Sequence, residues 1–420
     1  MTDKKIKRKK TQSYKGRIIF LFFLVGITTV LLIRGTYAWF VGMDPISIDE
    51  FQIDIFSRDS LELSLDGNNW STELDLTKDA IMGTAKHGFK AYTGHTNMWP
   101  SGDVGLIPLS SIGESDPAAN GRLILYGKSD IAATGGGYKF VSTRINNYGT
   151  SSNNQLVLEQ DGYIAFDLFI KNGEGVDYIS TYNQKDDEAL YLATDSKVTA
   201  VSSGEESAGI ENSLRLAFVQ IGRIATNGAT SGDVAEIGCS SLESGSGLKN
   251  TSLCNQPNST IIWEPNETIH YDKMIEHFNK TCKTRKVYNG STGYSYGSDC
   301  IPLKQGEAVK TFAIAKNIST SNYVDAYDGL NGFMPVGEGE NDGFLKETVT
   351  FTDKMKSTTG EDRPVFMYIA PNSITKVRVY IYLESQDVDS YDLTSLGKTI
   401  KFQFGFTKDQ WNLDNKQEEK

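Results

Sequence analysis

The feature that most limits the fold is the alternation of apolar and polar side chains in short runs along the chain. Ile400, Phe402, Phe404 and Phe406 alternate with Lys401, Gln403 and Gly405. Val377, Val379, Ile381 and Leu383 alternate with Lys376, Arg378, Tyr380 and Tyr382. The same period runs through Phe51–Ile55, Leu61–Leu65, Ile164–Ile170 and Leu214–Phe218. Successive strand side chains point to opposite faces, so each run is expected to put one face on a core and the other in water. A helix would instead space its apolar residues three and four apart. Many such runs without long helical patterns between them predict an all-β fold, an antiparallel β-sandwich. The 20 Tyr, 20 Phe and 40 Gly agree, since strands favour aromatics and turns favour glycine.

Two long stretches break the alternation. Residues 86–154 are rich in Gly, Ser and Asn, and residues 225–301 hold all four cysteines, Cys239, Cys254, Cys282 and Cys300. Both are read as insertions on one sandwich spanning residues 39–412, followed by a polar tail, 413–420. An even cysteine count within one segment of an exported chain predicts two disulfides, with sequential pairing, 239–254 and 282–300, preferred.

Export is read from the N-terminus. Lys4 to Arg17 contains eight Lys and Arg, the uncharged apolar run Ile18–Ile33 follows, and Thr36-x-Ala38 offers two small residues. This is the layout of a signal peptide over residues 1–38, with cleavage between Ala38 and Trp39. The alternative is an uncut anchor, a transmembrane helix slightly short of the ~20 residues that usually span a bilayer. Residues 1–38 hold nine Lys/Arg and one Asp, so their removal moves the formal net charge from −11 to −19. So acidic a chain excludes nucleic acid as a natural partner. Cleavage would free an apolar-alternating N-terminal strand, with Trp39, Phe40, Val41, Ile46 and Ile48 as its donor residues. An unpaired terminal strand invites pairing with another chain, and head-to-tail pairing builds an open filament.

Signatures of catalysis are sparse. His87, His95, His270 and His277 form no H-E-x-x-H, and no G-x-S-x-G occurs. No cofactor is expected except a calcium candidate, Asp387-Val-Asp389 with Asp392, which resembles a fragment of a calcium loop. Trp99, Trp263 and Trp411 are read as plugs at the sandwich ends.

Gly35-Thr-Tyr-Ala-Trp-Phe40 resembles the G-T-W-A-x-F export motif of TasA-type biofilm fibre proteins of Gram-positive bacteria, a family that includes camelysin. Thr399–Phe406, followed by Gln410-Trp411-Asn412, is similar to the final strand of that family. The resemblance implies a dedicated signal peptidase cutting after Ala38, a jelly-roll core, and polymerisation by donation of the strand that starts at Trp39. It further implies a secreted, non-enzymatic biofilm-matrix protein whose partners are other copies of itself, the signal peptidase and other matrix proteins. The chain departs from the pattern at Val41-Gly42, where an Asn-Asp pair is usual, and in its longer, cysteine-bearing middle. The alternatives are a membrane-anchored cell-surface adhesin or binding module, and a camelysin-like metallopeptidase.

Overall fold

A computed structural model describes residues 50–82, 97–101, 105–134, 137–146, 159–182, 186–201, 210–241, 247–269, 312–319, 344–387 and 399–408, with a few shorter pieces. The first strands are β1 (Glu50–Ser57), β2 (Leu61–Ser64), β3 (Glu73–Leu76), β4 (Pro108–Ser110), β5 (Tyr126–Thr134), β6 (Gly137–Arg144) and β7 (Ile164–Asn172). They are followed by β8 (Glu188–Leu192), β9 (Lys197–Val201), β10 (Leu214–Ala225) and β11 (Thr260–Glu264). The last are β12 (Phe351–Thr352), β13 (Met367–Ile369), β14 (Ser373–Glu384) and β15 (Thr399–Lys408).

They form the expected all-β sandwich. The smaller sheet runs β13-β8-β15-β1-β3, with β9 also paired to β15. The larger runs β2-β7-β14-β10-β11-β12, and β4, β5 and β6 extend it from the C-terminal end of β14. Antiparallel pairs dominate, but β1 runs parallel to β15, β4 to β14, and β12 to β11.

The alternating rows meet between the sheets. Ile53 and Ile55 of β1, with Ile400, Phe402, Phe404 and Phe406 of β15, face Phe166 and Leu168 of β7, Leu216 and Phe218 of β10, and Val377, Val379 and Ile381 of β14. Phe218 is the hub: the rings of Phe366, Phe404 and Phe406 meet it edge-on at 5.1, 5.4 and 6.0 Å, a favoured aromatic geometry. Trp263 is buried near the end of β11, and its indole N–H donates to Asp353 at 3.0 Å.

The alternation predicted that the second face of the central strands meets water. The structure corrects this, because β14 is buried along its whole length and β7 and β10 nearly so. Tyr163, Ala165, Ala217, Val219, Ile221, Tyr380 and Tyr382 form a second apolar cluster on that face with Leu109, Leu123, Leu125 and Cys254. The covering residues come from the segments read as insertions. The first is not irregular, since β4, β5 and β6 lie in it. Within the second, Thr260–Glu264 is β11, a strand of the sandwich itself.

Charges under this cover are paired. Asp167 lies opposite Arg378 in the β7–β14 register and accepts from its Nε at 2.7 Å, while Lys376 Nζ stands 3.2 Å from the same carboxylate. Glu159 accepts from the Tyr163 and Tyr380 hydroxyls and lies 3.1 Å from Arg122 Nε. A buried charge is costly unless it is paired and hydrogen-bonded.

Truncating Phe218 to Ala is expected to cost ~3–5 kcal/mol, because the surrounding rings cannot collapse into the space. Denaturant unfolding measures this, and a loss under ~1 kcal/mol would contradict the central role of that ring.

Candidate functional site

β1 is the first described strand, next to the segment expected to carry the export signal. β1 lies between β15, its parallel partner over Glu50–Ser57, and the four-residue β3, which pairs only with Ile53–Phe56. Its inner side chains, Ile53 and Ile55, are fully buried. On the outer face Asp54 pairs with Lys401 at 3.0 Å, and the Phe56 ring lies over Gly405, where a Cβ would come within 2.3 Å of it. Gly405 breaks the β15 row because a neighbouring aromatic occupies its side-chain space.

The corner after β1 is tight. The Arg58 carbonyl accepts from Leu61 N–H, and Asp59 and Ser60 both take left-handed backbone angles, φ 58° and 62°. Non-glycine residues there cost of order 1–3 kcal/mol each. The corner carries the chain from the smaller sheet to β2 in the larger one.

Cys239 and Cys254 form the expected disulfide, closing a loop of sequence separation 15. It packs in the second apolar cluster rather than standing off the surface. Gly121, at φ 75°, lies so close that a Cβ would meet Ile221 at 2.4 Å and the Cys254 sulfur at 3.1 Å. Asn120 beside it accepts from Cys239 N–H through its side chain and from Arg378 through its carbonyl. Both covering segments are thereby tied to β14. Replacing both cysteines with serine is expected to cost ~3 kcal/mol for a loop of this length, read as a lowered unfolding midpoint under oxidising conditions only.

Asp387 and Asp389, the described members of the calcium candidate, are buried. Asp387 accepts from Arg215 Nη2 at 2.6 Å, and the same nitrogen donates to Glu264 at 2.8 Å. Asp389 accepts from the Asn212 amide at 3.2 Å. These carboxylates therefore serve protein donors, and among the described residues no three His, Cys, Asp or Glu converge as a metal-ligand set. Beside them is a cavity of about 10 Å³, the room of roughly one water, lined by Arg215, Glu264, Tyr382, Glu384 and Asp387.

Burial pushes Glu384 up to about 7, against opposing hydrogen bonds from Gln386 N–H and the Ser110 hydroxyl and the attraction of Arg215. A carboxyl bound more tightly to its proton in the folded state favours folding most at low pH. That contribution falls as pH rises from 4.5 to about 7 and is then constant. Glu384→Gln is expected to remove a pH-dependent loss on the order of 3 kcal/mol across that window. Unfolding curves at pH 5 and 7.5 measure it, and an unchanged slope in the variant would reject Glu384 as the source.

Thr36, Ala38, Trp39, Phe40, Val41, Ile46, Ile48, Cys282, Cys300, Asp392, Trp411, the four histidines and the 413–420 tail lie outside the described residues. So does the expected membrane run, Ile18–Ile33. Sequence reasoning missed the Arg215 cluster, whose acids come from β11 and the end of β14 and meet only through strand pairing. Comparison with family models, curated proteins and solved structures returns no match.

Proposed function

We propose that this chain is an exported, non-enzymatic structural protein of an extracellular matrix, which polymerises into fibres as each copy hands its N-terminal strand to the next. The observation that carries this reading is the seating of β1. It is held by parallel pairing to β15, a strand from the other end of the described chain, so no hairpin binds it to its slot. Along the chain it is followed by the corner at Asp59 and Ser60, whose left-handed residues make it a suitable hinge, and the nearby β3 holds it only over Ile53–Phe56. An identical strand from another copy would make the same ladder and bury the same Ile53 and Ile55, so exchange costs little in contacts. The alternating segment Trp39–Ile48 then extends the donated strand, and the signal peptidase sets its start.

Two experiments test this. N-terminal sequencing of the secreted protein, with electron microscopy of the same sample, is expected to show a Trp39 start and filaments. A chain that keeps residues 1–38 and stays in the membrane without filaments would support an anchored surface module instead. The second experiment locks β1 in its own sheet. Asp54 and Gln403 are register partners on the outer face. The Asp54→Cys/Gln403→Cys variant is expected to remain monomeric when oxidised and to form filaments when reduced. Normal filaments from the cross-linked protein would overturn strand donation.

A further inference from the structure

The inner row of β10 reads Leu214, Leu216, Phe218 and then Gln220. Three apolar residues are followed by an amide at the position where the row reaches the side of the sandwich. Gln220 is 7% exposed and lines a groove at this edge. On the adjacent strand β11, Thr260 Oγ1 is buried without a hydrogen-bond partner. Unmet buried polar groups of this kind are uncommon and cost stability.

Both residues line a groove of about 380 Å³ between the edge of the larger sheet, at β11 and β12, and β13, the edge of the smaller one. That is the size of a small-molecule site. Tyr182 and Tyr368 are half-exposed in its wall, and Arg223 stands 5.7 Å over the Tyr182 ring and steadies it. Further amides and hydroxyls come from Gln256 and Ser259. None of the described lining residues carries a charge, although 23% of the chain is charged.

We infer that this groove binds a short neutral oligosaccharide. Sugar rings offer apolar C–H faces to tyrosine rings, and their hydroxyls both donate and accept, which suits the amides of Gln220 and Gln256 in the lining. An uncharged lining gives no partner to an acidic glycan or a phosphate, whose desolvation would go uncompensated. A protein strand fits less well. It needs a run of open ladder positions, whereas the edges here are short, three residues in β13 and two in β12, which itself covers β11 at Trp263 and Glu264. This site is separate from β1 and does not depend on fibre formation.

The test is calorimetric titration of the secreted chain with cellohexaose, maltohexaose and chitohexaose, with hexagalacturonate as the acidic control. At least one neutral hexasaccharide is expected to bind and hexagalacturonate is not. Gln220→Leu and the half-exposed Tyr368→Ala are each expected to weaken that binding at least tenfold, with the unfolding midpoint of Tyr368→Ala unchanged. Filaments, scored in the same samples, are expected to form normally in both variants, which separates this site from strand donation. The inference is overturned if no neutral hexasaccharide binds at millimolar concentration, if both variants bind as the parent does, or if a synthetic Trp39–Ile48 peptide occupies the groove in place of the sugars.

Discussion

Strand Ser373–Glu384 is buried on both faces, and the rest of the structure follows from that constraint. A strand with one wet face leaves its polar residues to solvent. Here Lys376, Arg378, Tyr380 and Tyr382 are covered, so each needs a structural answer. Asp167 neutralises Lys376 and Arg378 from the adjacent strand, and Glu159 receives Tyr380. Removing one partner of such a pair leaves an uncompensated buried charge, which is far more costly than losing an exposed ion pair. The Arg378–Asp167 pair therefore fixes the register of β14 on β7, because a one-residue slip of β14 would turn Lys376 and Arg378 into the apolar core and leave Asp167 buried without them.

The cover explains the two long segments between the alternating runs. They supply the second wall of the larger sheet rather than ornament for a finished sandwich. The first continues that sheet through β4, β5 and β6. The second lays the Cys239–Cys254 disulfide against Ile221 and Gly121. A loop-rich cover has few ladder hydrogen bonds of its own, and a cross-link that narrows its unfolded ensemble compensates. The Asn120 contacts join the two segments over β14, so the cover acts as one layer.

The smaller sheet is built differently. Its outer face keeps exposed pairs such as Asp54 with Lys401, which add little stability. Its cohesion comes from the inner row of β15 and β1 against the aromatic hub at Phe218. The strand on which the proposed assembly turns is thus held by apolar burial and a ladder, both of which an identical strand from another copy reproduces.

Much of the fold was legible in the sequence. Period-2 alternation named six of the strands and their core-facing residues, because a strand has only two faces and apolar groups on one of them must be removed from water. The cysteine spacing anticipated the 239–254 pair. What the chain alone did not reveal is the fate of the other face: Lys376 and Arg378 read as solvent-facing until the strand bearing Asp167 is placed beside them. The groove was not legible, since one wall carries Gln220 of β10 and the other Tyr368 of β13, which only the packing of the two sheets brings near. Local periodicity is set by the backbone geometry of each strand, so sequence determines it. Which strands neighbour one another, and which surfaces the intervening segments cover, depends on contacts between residues far apart in the chain, and only the tertiary structure decided those.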